Sequence, residues 1–196
     1  MGRTPRVGLT VTETVPQQVA HSGCDGHGME GWTTMTCLDC GGALKITRAP
    51  YRYADSGLPG VVLLGVEVRR CQKCGAEEVA IPRIEDLHRL IAQAVIRRPH
   101  RLTPAEVKYL RKWLGWSGVD FARHMGTTPE TVSRWEQGRV PMSPQADRLL
   151  RLMITTRAPV DDYTLDALTT IREKAPLRPT PLRLQWGRGR WLPRAA

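Results

Sequence analysis

Two short units, Cys37-Leu38-Asp39-Cys40-Gly41 and Cys71-Gln72-Lys73-Cys74-Gly75, place the tightest constraint on what this chain can fold into. Two residues between paired cysteines let both thiolates of one turn reach the same ion. The glycine that follows lets the backbone curl so that amide N–H groups point at sulfur. Between the units, Leu44 to Tyr53 and Val61 to Arg70 are β-prone runs separated by Ala54-Asp55-Ser56-Gly57-Leu58-Pro59-Gly60. That pattern predicts an antiparallel hairpin, which returns the second cysteine turn to the first. Four soft thiolates select Zn2+ over hard cations, and a four-sulfur shell leaves no open position for a substrate. Cys37, Cys40, Cys71 and Cys74 are therefore expected to hold one structural zinc ion. An iron–sulfur cluster and a redox dithiol are the competing chemistries, although a thioredoxin-type motif usually sits in a strand-helix context that is absent here. Cys24, between His21 and His27 in a Gly-rich stretch, reads as a free thiol.

Across 196 residues, 29 Lys and Arg against 19 Asp and Glu leave a net charge of +10, which favours polyanionic partners. No stretch approaches the roughly 18 apolar residues of a membrane span. Val7 to Val15 is broken by Thr10, Thr12, Glu13 and Thr14, unlike the apolar core of a signal peptide. The expectation is a cytoplasmic protein with no membrane partner, where thiols stay reduced and metal binding outranks disulfides. No Ser/His/Asp set, Gly-rich phosphate loop or paired carboxylates occur, so no catalytic residue is assigned and the chain is read as a non-enzyme.

Residues 1–36 have few apolar side chains and no period, and read as a disordered leader. Ile84, Leu87, Ile91, Ala94 and Val95 recur at helical spacing, predicting a helix over 84–96 that closes a zinc-binding domain of residues 37–96. Arg97-Arg98-Pro99-His100-Arg101 breaks the period, so 97–102 is taken as a linker. Four helices are then predicted over 103–157. Thr103-Pro104-Ala105-Glu106 is a capping box with proline at the first helical position. Ser117, Thr128-Pro129 and Ser143-Pro144 open the other three, and Gly115, Gly126 and Gly138 mark stops. Expected inward residues are Val107, Leu110 and Leu114; Val119, Ala122 and Met125; Val132 and Trp135; and Ala146, Leu149, Leu150 and Met153. Residues 158–196 are read as a basic Pro/Arg-rich extension, with one further helix over 164–174 and a mostly disordered tail from 176.

Gly126-Thr127 is a tight turn of the kind that joins the two helices of a DNA-binding helix-turn-helix. The helix from Pro129 would then enter the major groove by its N-terminal end. Periodicity points Glu130, Thr131, Arg134 and Gln137 outward. Arg134 is the candidate base reader, since its fork can bond guanine O6 and N7 together. Thr128 and Ser133 suit phosphates near a helix N-terminus, Arg139 lies just beyond the helix, and Ser117 joins the set from the preceding helix. Glu130 suits cytosine N4 or the repulsion of a wrong backbone approach. Residues 97–157 hold twelve basic against five acidic side chains, whereas 37–83 hold seven against five. The charge thus favours duplex DNA at the rear of the chain over an RNA-binding zinc module at the front.

The stretch Leu110 to Leu152, with Phe121-Ala122, Thr131-Val132-Ser133-Arg134-Trp135-Glu136-Gln137-Gly138 and Leu149-Leu150-Arg151-Leu152, resembles the Cro/C1-type (XRE) helix-turn-helix family. Preceded by Cys37-x-x-Cys40, Tyr51, Gly65, Cys71-x-x-Cys74-Gly75 and a helix, the whole resembles the MqsA (YgiT-type) zinc-finger antitoxins. The resemblance implies an α+β chain: a small four-Cys zinc-binding β-hairpin domain, then an all-α XRE-type domain. It further implies an antitoxin that neutralises a ribonuclease-type toxin through the zinc domain. Such a protein dimerises through its C-terminal domain and represses its own operon at an operator palindrome. Arg134 matches that family's base-reading arginine, while Glu130 and Gly118 stand where the family carries Asn and often Gln. A stand-alone zinc-containing regulator and a thiol redox sensor are the alternative functions.

Overall fold

The computed structural model describes residues 35–160, 163–172, 174 and 180–194. The remaining residues, which include Cys24 and nearly all of the expected leader, lie outside the described part. The described chain is mixed α and β and divides into two compact units.

The first unit is built from the cysteine turns and a three-stranded antiparallel sheet. Its strands are β1 (Leu44–Thr47), β4 (Glu67–Cys71) and β5 (Glu77–Ala80), in the order β1-β4-β5. Leu44 pairs with Cys71 and Thr47 with Val68, so the hairpin expected from the β-prone runs forms here. Its apolar core is small. Among the described residues of this unit, only Val68 and Val79 are buried apolar side chains beside Cys37 and Cys71.

The second unit takes the hairpin's tip and everything from Pro82 onward. β2 (Tyr51–Arg52) and β3 (Val61–Leu64) pair antiparallel around the loop, which contains a 3-10 turn at Ala54–Ser56. β3 then pairs in parallel with β6 (Leu182–Gly187), and β6 in antiparallel with β7 (Arg190–Arg194). The expectation of a disordered tail from 176 is corrected over residues 182–194, while 175–179 are outside the described part. Leu184 is fully buried and Trp191 nearly so, and β3 supplies the missing hydrogen-bond partners, which outweighs the Pro/Arg composition. Gly65, just past β3, has φ 77°, and a Cβ there would stand 2.7 Å from the Trp186 carbonyl oxygen. Only glycine lets β6 come this close.

Among the described residues six helices lie between β5 and β6: α1 (Ile84–Ile96), α2 (Pro104–Trp113), α3 (Gly118–His124), α4 (Pro129–Glu136), α5 (Pro144–Arg157) and α6 (Leu165–Thr169). Thr103, Ser117, Thr128 and Ser143 all cap through side-chain oxygens, with complete capping boxes at Thr103 and Ser117. Each such cap is worth about 1 kcal/mol. Two inward assignments are corrected. Val119 is 59% exposed and Leu149 39% exposed. With α3 starting at Gly118, the inward pair is Phe121 and Ala122. On α5 the inward stripe is Asp147, Leu150, Arg151 and Ile154, a face that carries charge at two of its four positions.

That charge explains why residues 97–102 are no loose connection. Arg151 Nε donates to Asp147 Oδ1 at 2.6 Å, and both residues are 1% exposed. The same guanidinium donates to the carbonyls of Ile96, Arg98 and His100 at 2.5, 2.8 and 2.6 Å. Asp147 Oδ2 accepts from the Leu102 amide at 2.7 Å. One buried ion pair therefore satisfies three carbonyls and one amide between the end of α1 and the start of α2. The compact units divide at 49/50, 66/67 and 81/82, and α1 belongs with the helices that follow it rather than with the cysteine turns.

A second buried polar chain runs from Tyr53 through His88 to Tyr109. Tyr53 Oη lies 3.0 Å from His88 Nε2, and His88 Nδ1 lies 3.0 Å from Tyr109 Oη. Tyr109 donates to the His88 carbonyl oxygen at 3.1 Å, so its oxygen accepts from Nδ1–H and Nε2 is left to accept from Tyr53. Burial lowers the His88 pKa, in keeping with a neutral ring, and raises the Tyr53 hydroxyl to about 12.

Candidate metal centre and nucleic-acid interface

The cysteine turns are near copies of one another. Gly41 N–H donates to the Cys37 carbonyl at 2.8 Å, and Gly75 N–H to the Cys71 carbonyl at 3.1 Å. Cys37 N–H donates to Gly42 O and Cys71 N–H to Ala76 O, both at 2.8 Å. Gly41 and Gly75 take φ 66° and 73°, a left-handed conformation that a Cβ would strain. The β1–β4 ladder brings the turns together, so that Cys37 and Cys74 sulfurs lie 3.6 Å apart and Cys40 and Cys71 sulfurs 3.5 Å apart.

All four sulfurs fall within 4.8 Å of one another. A tetrahedron with metal–sulfur bonds of ~2.3 Å has edges of ~3.8 Å, so this donor set fits a single ion. The fit extends to the backbone. A Cβ on Gly42 would stand 3.2 Å from the Cys71 sulfur and 3.3 Å from that of Cys40, and Lys73 N–H donates to the Cys71 sulfur at 3.4 Å. Amide hydrogen bonds, that of Cys74 foremost, draw the Cys71 thiol down to about 6, whereas the Cys37 and Cys74 thiols are pushed up, so that one thiolate is favoured among the close sulfurs. Four cysteines in this arrangement can hold a metal ion.

In the second unit, α3 and α4 meet through Gly126-Thr127. Val132 and Trp135 are buried, as their spacing predicts. Glu136 lies on the same inner face. Its carboxylate takes both Nε and Nη2 of Arg111 on α2, at 2.5 and 3.1 Å, with both side chains little exposed. This bidentate clamp fixes α4 against α2, and the sequence reading missed it. The spacing 132, 135, 136 is the signal that would have found it.

The outward residues fall as follows. Thr128 caps α4, accepting from Thr131 N–H at 3.3 Å, and Thr131 is half-buried beside it. Glu130 is exposed in the first turn. Its carboxyl is held below the usual range, first by its own backbone N–H and next by the Thr128 hydroxyl. Ser133 accepts from Gln137 Nε2 at 2.8 Å, and both are exposed. Arg134 is exposed, and its guanidinium has neither a hydrogen bond nor an ion pair among the described residues. Arg139 is exposed just past the helix, its N–H bonded to the Arg134 carbonyl at 2.9 Å. Ser117 is exposed, but its hydroxyl is engaged by Asp120 Oδ2 at 2.6 Å in the cap of α3.

Thr128, Glu130, Ser133, Arg134, Gln137 and Arg139 thus share the exposed side of α4 and its C-terminal end. Ser117 sits at the start of the neighbouring helix, and the cysteines form a separate centre in the other unit. Among the described residues no helix is long and apolar enough to cross a membrane. No curated protein matches the chain. Residues 105–162, which run from α2 through α5, match a family model described as a helix-turn-helix domain.

Proposed function

We propose that the protein is a zinc-stabilised transcriptional repressor that reads duplex DNA with α4 and serves as the antitoxin of a toxin–antitoxin pair. The observation that carries DNA reading is the exposed Arg134 guanidinium on the outer side of α4, which has no hydrogen bond among the described residues and faces only the charge of Glu130. On the opposite side, Val132, Trp135 and the Arg111–Glu136 clamp hold the helix rigid. An arginine fork carried on so firmly held a helix suits guanine, and Ser133, Gln137 and Arg139 suit the flanking bases and phosphates. Zinc is the proposed ion because four thiolates close its tetrahedron and leave no site for chemistry. The protein on this reading binds and is not a catalyst.

Exposed leucines on α5, Leu149 and Leu152, support a two-fold contact between copies, which would match a palindromic operator. The toxin reading is supported by the cysteine unit's surface, where Leu38 is 90% and Ile46 49% exposed. Exposed apolar side chains on the first cysteine turn and on β1 suit a protein partner better than a nucleic acid.

Arg134→Ala should weaken binding to the DNA upstream of the protein's own coding sequence about 10- to 100-fold, since one bidentate base contact is worth ~1–3 kcal/mol. Gel shifts with unchanged affinity would remove Arg134 from the interface. For the antitoxin role, purification from the native host should retain a small protein that Leu38→Asp releases. Recovery of the repressor alone, with its operator binding intact, would reduce the function to that of a stand-alone regulator.

A further inference from the structure

β6 and β7 form a ribbon with two unlike faces. The inner face carries Leu184 and Trp191, both buried, with Trp186 packed 5.4 Å from Trp191. It is pinned firmly. β3 holds β6 in parallel over four residues, Trp191 Nε1 donates to the Pro82 carbonyl at 2.9 Å, and Arg83 donates to the Gly189 carbonyl at 3.1 Å.

The outer side is basic. Arg183 and Arg194 are directly paired across the ladder, Arg190 pairs with Gly187, and Arg188 stands at the tip. All four are exposed, and residues 180–194 contain no acid. None of the four has an ion pair among the described residues.

Two features of this ribbon oppose its own stability. Like charges directly opposite one another on a sheet repel. Arg188 takes φ 52° and Gly189 φ 72° in the two-residue turn, where Asn, Asp or Gly is the usual occupant of the first position. Arginine at that position is strained, and among the described residues its side chain has no hydrogen bond or ion pair. A polyanion lying along the outer side would relieve the repulsion and use the strained arginine.

We propose that the β6–β7 ribbon is a second DNA-contacting surface, which grips backbone phosphates independently of sequence. The proposal rests on the reading of α4 as a DNA-binding helix, because the same compact unit carries both. The Arg183–Arg194 pair and Arg190 are four residues apart along the strand, about 13 Å. That is close to the ~12 Å width of a major groove, so the ribbon spans phosphates on its two rims. Single-stranded RNA is a poorer match. Unpaired bases need exposed aromatic faces, and both tryptophans point to the inner side.

The test is a salt titration of the full-length protein on duplex DNA of random sequence, read by fluorescence anisotropy. Each neutralised phosphate adds ~0.9 to the slope of log affinity against log salt. Arg183→Gln with Arg194→Gln, and separately Arg188→Gln with Arg190→Gln, should each lower the slope by about 1.8. Each wild-type-to-variant affinity ratio should therefore shrink roughly tenfold between 50 and 200 mM salt. Arg183→Lys with Arg194→Lys, which keeps the charge, should keep the slope. Unchanged slopes in both glutamine variants, with native circular dichroism, would overturn the proposal. So would a fall seen on single-stranded RNA but not on duplex. Failure of the α4 reading looks different: Arg134→Ala would leave operator preference intact while the ribbon variants still flatten the salt dependence.

Discussion

Cys71→Ser should unfold the sheet of β1, β4 and β5 while the helical circular dichroism of α1 to α6 survives. The reason is arithmetic. Beside Cys37 and Cys71, the unit buries only Val68 and Val79, and fully burying such a side chain contributes roughly 1.5–3 kcal/mol. Ordering a single residue costs about 1–2 kcal/mol of backbone entropy, so two valines cannot offset the ordering of some thirty residues. A structural zinc ion contributes on the order of 10 kcal/mol, and that energy is folding energy. Serine offers no thiolate, and the three remaining sulfurs cannot close the shell. A strong chelator should do the same to the unaltered protein, with loss of protection at the amides of β4 in hydrogen exchange. Protection that survives chelation would mean that the ladder stands without metal. Loss of helix and sheet together would mean that the two units do not fold separately.

Arg151→Met should destabilise the second unit by about 3–5 kcal/mol, the usual penalty for removing one partner of a buried pair. The variant strands the Asp147 carboxylate at 1% exposure and strips hydrogen bonds from the carbonyls of Ile96, Arg98 and His100. Adding Asp147→Leu should restore part of the loss, because no unpaired charge then remains buried, although the three carbonyls stay without their donor. Urea unfolding followed by tryptophan fluorescence reads both effects. A loss below about 1 kcal/mol for Arg151→Met would show that water reaches Asp147 once the guanidinium is gone.

Local signals made much of this architecture legible. The starts of α2 to α5 were set by Thr103, Ser117, Thr128 and Ser143, because a capping oxygen acts on an amide two or three residues away and needs no tertiary partner. The sulfur cluster was legible for a similar reason, since C-x-x-C fixes its own turn. What escaped depends on distant partners. Asp147 and Arg151 are spaced like an ordinary solvated i, i+4 pair, and only the carbonyls of residues 96–100 make that face an interior one. Val119 and Leu149 were misdirected because hydrophobicity was read without the phase that Phe121 and Ile154 impose. In the tail, Leu182, Leu184 and Trp186 alternate with Arg183 and Gln185, a strand period masked by proline and charge. Its partner, β3, lies more than a hundred residues away, so no local window could supply the pairing.

The parallel β3–β6 ladder also sets an order of events during synthesis. Val61 meets Leu182 only after every helix between them has been made, and long loops close slowly. A nascent or truncated chain stopping before 182 would display β3 as a bare edge, a template for pairing with other chains. Affinity tags or degradation signals that crowd residues 182–194 would therefore favour aggregation, whereas fusions ahead of residue 35 would leave this strand free to dock.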